Sequence, residues 1–199
     1  MNFEELLNYR RSVRRYSATP IDSEKVKQCL MQATLAPNSS NMQLWEFYHV
    51  TSPDKLKQLT AACLNQQAAA TAQQMVVFVT RQDLYRKRAA KMSELETLNV
   101  QQNSPKEKQE KRIKRWQLYY GTVMPFLYSR FLGIFGFFRK IMVIIIGLFR
   151  PITYQVSEND MRVVVHKTCA LAAQTFMLAM ANQGYDTCPL EGFDSKKVK

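Results

Sequence analysis

Between residues 163 and 183 the chain has no Gly or Pro and only one firm charge, Lys167. The stretch is rich in Ala, Leu and Met, so it predicts a helix of roughly 30 Å from the rise per residue. Val165, Cys169, Ala172, Phe176 and Met180 fall on one helical line, and Val164, Leu171 and Leu178 on a second. Two apolar lines predict a helix buried nearly all round, on which the other elements must pack. Gly184 stands where a left-handed residue would stop it. Cys188-Pro189-Leu190-Glu191-Gly192 then gives a backbone that lacks a donor at Pro189 and is open at Gly192, against which a flat ligand could press. On spacing alone the same residues also read as an ordinary helix-to-strand loop.

A chain of 199 residues, 46% hydrophobic, can bury one substantial core and predicts one domain. Cys29, Cys63, Cys169 and Cys188 are widely spaced without a CxxC pair, and His49 and His166 are far apart. That pattern argues against a metal site or a disulfide framework and for a reducing compartment. Glu4 and Glu5 stand where a secretory leader would carry base, so the expected location is cytoplasmic. The formal charge of +12 invites an anionic partner, whether nucleic acid, phospholipid or a phosphorylated cofactor, without choosing among them.

Residues 3–9 read as a short helix. Next, Arg10-Arg11-Ser12-Val13-Arg14-Arg15-Tyr16 gathers four guanidiniums and a short hydroxyl. Arginine offers a planar fork for oxyanions, and Arg10, Ser12 and Arg14 share a side if the segment is extended. A solvated charge run is the competing reading. Residues 22–35 predict a helix with Val26, Leu30 and Ala33 inward, ended before Pro37. The loop that follows, through Asn38, Ser39, Ser40, Asn41 and Gln43, is rich in side chains that bond local backbone or a polar ligand. Residues 45–50 and 75–80 predict strands, with a helix starting at Pro53 between them. Strands separated by helices in a chain of this size suggest an α+β or α/β arrangement with one sheet.

Residues 83–152 differ in character, as a basic and then apolar insertion. Half of the 28 Lys and Arg lie between Arg86 and Arg150, and no acid occurs between Glu110 and Glu158. Residues 106–112 predict a polar helix or arm. Residues 124–149 are aliphatic and aromatic but cut by Arg130, Arg139 and Lys140, far short of the roughly 20 apolar residues that span a bilayer. They fit a lid or dimer-packing element, or a segment lying in a membrane interface with its cations at the headgroups. Nucleic-acid contact through Trp116, Tyr119, Tyr120 and the cations is the weakest of the three readings.

Three motifs together resemble the FMN-dependent nitroreductase family, of the NAD(P)H-dependent nitroreductase or flavin reductase type. They are Arg10-x-Ser12-x-Arg14, the loop from Pro37 to Trp45 with Leu44 in place of the family's Pro, and residues 172–194 ending in Gly192-Phe193-Asp194. The resemblance implies an α+β fold, a three-layer α-β-α sandwich around a mostly antiparallel sheet with a long buried core helix. It makes residues 1–199 a single domain that carries the 83–152 insertion and lacks the C-terminal part of the fold, with weakened FMN binding and activity.

By the same resemblance, Arg10 and Ser12 serve the FMN phosphate and Arg14 lies by the pyrimidine edge of the ring; as the alternative to weakened binding, Arg10, Arg11 and Arg15 supply the charge that the missing part would have carried. Pro37, Asn38, Ser39 and Asn41 reach the flavin held mainly by the other subunit of a homodimer. Asn65 bonds the flavin, Ala68 replaces a family Lys, and the backbone of Pro189, Leu190, Glu191 and Gly192 faces the redox centre. The flavin carries the chemistry, so no catalytic side chain or metal is expected. The implied reaction passes electrons from NADH or NADPH to a small aromatic acceptor, a nitroaromatic, quinone or flavin, by a ping-pong mechanism. A truncated, catalytically impaired flavoprotein held at the inner face of the membrane through residues 124–149 is the alternative.

Overall fold

The computed structural model describes residues 1–198; Lys199 lies outside the described residues. In order, the elements are α1 (Phe3–Tyr9), α2 (Ser23–Ala33), β1 (Trp45–Val50), α3 (Pro53–Ala62), α4 (Gln67–Thr71) and β2 (Met75–Thr80). They continue with α5 (Tyr85–Asn103), α6 (Lys106–Leu118), α7 (Met124–Tyr128), α8 (Ile134–Gly147) and α9 (Glu158–Asn182). A short π-helical segment, Tyr119–Val123, joins α6 to α7. Contacts divide the chain into two compact units, residues 1–36, 46–79 and 170–198 in one and residues 37–45 and 80–169 in the other. Helix α9 runs through both.

In the first unit, Asp22 caps α2 by accepting from the Glu24 N–H at 2.9 Å, which satisfies an orphan donor of the first turn. Val26, Cys29 and Ala33 of α2 then pack against Phe176, Ala179 and Met180 of α9. Phe78 of β2 bridges them to the sheet, with ring centroids 4.8 Å from Phe47 of β1 and 5.5 Å from Phe176. Phe176 is buried and contributes about 1.5–3 kcal/mol, while the partly buried Phe47 and Phe78 contribute less. The two strands are antiparallel. The start of β1 meets the end of β2 where Arg81 N–H donates to Leu44 O at 2.9 Å, and His49 near the other end of β1 bonds Gln74 just ahead of β2 at 2.6 Å. Among the described residues the sheet has only these two strands, with one isolated parallel bridge, Ser12 to Thr187.

Two sequence expectations for α9 need correction. The helix begins at Glu158, ahead of the apolar run, because Ser157 and Asp160 cap it reciprocally: Ser157 N–H donates to Asp160 Oδ2 at 2.9 Å and Asp160 N–H to Ser157 Oγ at 3.1 Å. Nor is it buried nearly all round. Val165, Cys169, Ala172, Phe176 and Met180 are buried, but Val163 is 53% and Leu171 45% exposed. The first apolar line meets the two cores; of the second, Leu171 faces outward, while Val164 packs on the core of the second unit and Leu178 is partly buried.

In the second unit, Met42 and Leu44 pack with Ala89, Met92, Tyr120, Met124, Tyr128, Met161 and Val165. Residues 106–112, read from the sequence as a polar helix or arm, take the helical alternative and lie within α6. Helix α8 turns an unusual face inward, Gly136, Arg139 and Val143. Arg139 is fully buried and donates from Nε to Val156 O at 2.7 Å and from Nη1 to Phe126 O at 2.7 Å and Ser129 O at 3.0 Å. Burial pushes its pKa down from the ordinary value, opposed by the nearby Glu158 carboxylate. Glu158 accepts from the N–H groups of Phe131 and Gly133, both at 3.0 Å, and so closes the turn into α8.

Candidate functional site

Three segments of the first unit build one cavity. The first follows α1, where the chain becomes extended and Ser12 bridges Thr187, with Val13 N–H donating to Thr187 O at 3.3 Å. Farther along, Tyr16 N–H donates to Thr71 Oγ1 at 3.0 Å, fastening the same segment to the end of α4. The second segment is the α3–α4 turn. It reverses through Leu64 and Asn65, at φ 58° and 53°, a left-handed conformation that Asn tolerates better than most residues. The third follows α9, which Gly184 ends at φ 78°. Its backbone is held at two points: Gln66 Nε2 donates to Gly192 O at 2.7 Å, and Asp194 N–H donates to Ala62 O at 2.8 Å.

The resulting cavity has a volume of about 460 Å³ and is lined by Arg14, Gln66, Gln67, Ala68 and the turn Cys188 to Gly192. That falls within the range of roughly 300–1,000 Å³ typical of small-molecule sites. Its character is an open slot with one guanidinium on one wall and bare backbone on the other. The N–H groups of Leu190, Glu191 and Gly192 donate to no partner among the described residues. Beside the slot, Thr187 Oγ1 is buried without a hydrogen-bond partner, a polar atom whose burial costs free energy until something bonds it. Tyr16 flanks the same turn, and burial, reinforced by Cys188 and Asp186, pushes its phenol up to about 12. An electron-rich, anionic or planar polar ligand suits such a slot: the cation attracts it and the amides bond its edge.

Of the residues singled out in the sequence, Arg14, Pro189, Leu190, Glu191 and Gly192 line this cavity together, and Ala68 lies with them. Ser12 is tied to its rim through Thr187, and Asn65 sits in the turn leading to Gln66. Arg10 and Arg11 do not line it. Arg10 caps α1, and Arg11 Nη1 donates to the carbonyls of Leu7 at 3.2 Å and Arg10 at 3.0 Å. Gln66 and Gln67 escaped the sequence reading. The signal that could have found them is the amide run Asn65-Gln66-Gln67 at a sharp turn before a short Ala-rich helix.

The loop from Pro37 to Asn41 belongs to the second unit. Ser40 and Asn41 have φ of 53° and 49°, and the loop is stiffened from within. Asn41 Oδ1 accepts from Asn38 Nδ2 at 3.3 Å and Gln43 Nε2 at 3.0 Å, while Asn38 Oδ1 accepts from Gln43 N–H at 2.9 Å. Ser40 Oγ and Tyr119 OH share a bond of 2.7 Å, and Tyr120 OH donates to Ser40 O at 3.0 Å. Polar side chains here hold the loop's own shape, leaving an exposed, preformed rim at Pro37, Ser39 and Asn41.

Comparison with known proteins gives a consistent result. The family model described as the nitroreductase family matches residues 7–199. Two provisionally named NAD(P)H nitroreductases of Bacillus subtilis strain 168 are related in sequence. YdgI is 34% identical over 79 residues, covering 39% of this chain and 38% of that protein, and MhqN is 22% identical over 99% of this chain and 79% of its own length. Among solved structures, the Bacillus subtilis nitroreductase ydfN is 23% identical with a TM-score of 0.69, and 99% of this chain covers 78% of it. A nitroreductase from Exiguobacterium sibiricum, solved in complex with FMN, is 20% identical with a TM-score of 0.64, with 100% of this chain covering 78% of it. The fold is thus nitroreductase-like and α+β, largely helical around a small antiparallel sheet.

Proposed function

As the chain belongs to the nitroreductase family, we propose that it is an FMN-dependent oxidoreductase that takes electrons from NADH or NADPH and delivers them to a small aromatic acceptor. The observation that carries this reading is the convergence of Arg14 and the turn from Cys188 to Gly192 on one slot, although more than 170 residues separate them in sequence. The relative from Exiguobacterium sibiricum was solved with FMN, which supports the choice of cofactor.

The residues fit the group. Bound FMN supplies the electron transfer itself, accepting hydride from the nicotinamide and passing electrons on to a nitroaromatic, quinone or flavin in a ping-pong cycle. This chain's residues hold and tune it. Arg14, on the cavity wall, would stabilise negative charge on a flavin bound there, which would favour its reduced state. The N–H groups of Leu190, Glu191 and Gly192 supply fixed dipoles toward the ring, and Pro189 removes a competing donor. Gln66 holds that backbone in place through Gly192. Ser12 and Arg10 would serve the phosphate of a bound FMN from outside the cavity lining, with Arg11 and Arg15 adding positive potential.

A homodimer is part of the proposal. Two half-exposed apolar side chains of α9, Val163 and Leu171, suit an isologous interface. The stiff rim at Pro37, Asn38, Ser39 and Asn41 suits contact with a partner's flavin. We propose a cytoplasmic location, where NADH and NADPH are generated.

The test is the visible absorption of the purified protein after reconstitution with FMN, followed anaerobically on addition of NADH or NADPH. A perturbed flavin spectrum that bleaches with either nicotinamide and returns on addition of a quinone is the expected result. Unperturbed, freely dialysable FMN would overturn the assignment.

A further inference from the structure

Helix α8 is inverted relative to what water favours. Its inward line is Gly136, Arg139 and Val143, while Phe137, Phe138, Ile144, Ile145, Leu148 and Phe149 are exposed, the last two by 78% and 84%. The one fully buried charge of the segment is turned in and bonded to carbonyls of Val156, Phe126 and Ser129. Gly136 permits that seating, because a Cβ there would stand 2.8 Å from the Glu158 backbone nitrogen. The outward apolar face is therefore held by specific internal contacts and is not a loose end. A contiguous apolar surface of this kind marks an interaction site.

Its charge pattern says what covers it. Arg130, Lys140 and Arg150 are exposed around the apolar face; Asp83 lies near Arg130 and Asp160 near Lys140, but residues 111–157 themselves carry no acid. An isologous contact of this face with itself would set cation against cation with no carboxylate of the segment to pair them. An anionic bilayer satisfies both features at once, with phenylalanines and aliphatic side chains below the headgroups and cations among them. The 14 residues of α8 span only about 21 Å, too short to cross a hydrocarbon core of about 30 Å, so the helix must lie along the surface. Just ahead of it, a cavity of about 440 Å³ lined by Arg86, Arg130, Phe126, Phe131 and Phe135 adds one more cation, Arg86, beside aromatic walls.

We propose that α8, with the turn from Arg130 to Gly133, is a monotopic membrane-docking helix that seats this protein on an anionic lipid surface. Arg139 serves as the internal lock that keeps the apolar face outward. This goes beyond the flavin reading and stands without it, since docking needs no cofactor.

The test is flotation of the full chain with vesicles of phosphatidylcholine alone and of phosphatidylcholine with phosphatidylserine. Co-flotation with the phosphatidylserine vesicles, weakened by high salt, is expected, with little on phosphatidylcholine alone. Lys140→Gln with Arg150→Gln leaves the packed face untouched and should lower the bound-to-free ratio by about 25-fold, at about a factor of five per cation. Phe137→Ser with Phe138→Ser should abolish flotation with an unchanged circular dichroism spectrum. No association with either vesicle at low salt overturns the proposal. So does a wild-type dimer that the Phe137→Ser, Phe138→Ser variant converts to monomer while vesicles never bind, because a second copy would then be the occupant.

Discussion

Gln66 Nε2 donates a 2.7 Å hydrogen bond to Gly192 O, joining the turn before α4 to the turn after α9 across 126 residues of sequence. A partly exposed amide–carbonyl bond contributes about 0.5–1.5 kcal/mol net. Gln66→Ala should therefore cost about 1 kcal/mol in urea denaturation and, because the turn it holds is a wall of the cavity, weaken FMN several-fold. A fluorescence titration of FMN against the variant checks this; unchanged affinity would mean that the bond only closes a loop.

Ala68 is 5% exposed and lines the cavity at the position where the family resemblance calls for Lys. A longer cationic side chain there can leave the packed surface only into the slot. Ala68→Lys should tighten FMN by about tenfold, the scale of one charge-assisted hydrogen bond. Ala68→Met, with similar length and no charge, should not. Equal affinities for the two variants would show that charge at this point is irrelevant to the ligand.

Tyr16 carries a pH signature. Burial, with Cys188 and Asp186 adding to it, lifts the phenol from 10.0 to about 12. Above about pH 10 the unfolded chain loses this proton while the folded chain keeps it, so stability present below that pH is lost as pH rises toward about 12. Urea midpoints measured from pH 8 upward should fall in the alkaline range, and Tyr16→Phe should remove part of that slope. Tyr120 and Tyr128 are shifted the same way, so the difference between the two proteins, not the slope alone, reports Tyr16.

Arg139 shows both what could be read in the chain and what could not. In sequence it looked like an interruption of an apolar run, because a charge normally ends up in water. In the fold it is the buried residue and the phenylalanines beside it are exposed, a reversal that depends on carbonyls of Phe126, Ser129 and Val156 brought from other segments. Local patterns fared better where one element decides its own limits. The strand at Trp45–Val50 follows from alternation and the one at Met75–Thr80 from a short continuous apolar run. The start of α9 did not, since its Ser157–Asp160 cap precedes the first apolar residue. Half of the cavity was legible because Arg14 and the Gly192 turn carry unusual chemistry. Gln66 and Gln67 were not, since glutamine looks alike on a surface and in a site until distant segments meet.

Replacing Arg139 by Met keeps volume but takes the guanidinium from the carbonyls of Val156, Ser129 and Phe126, of which Phe126 O still accepts from Ser129 Oγ at 2.8 Å. The expected cost is about 2–4 kcal/mol in urea denaturation, with Arg139→Lys between it and the unaltered protein. A loss under 1 kcal/mol would mean that water replaces the guanidinium.

The most direct measurement is the rate of alkylation at Cys188. Cys29, Cys63 and Cys169 are buried, whereas Cys188 is partly exposed and lines the cavity itself, so its modification reads occupancy of that slot. Mass spectrometry of the Cys188 peptide should show alkylation slowing as FMN is added, with the protection lost in Arg14→Ala. An alkylation rate that stays the same at saturating FMN would place the flavin elsewhere or nowhere on this protein.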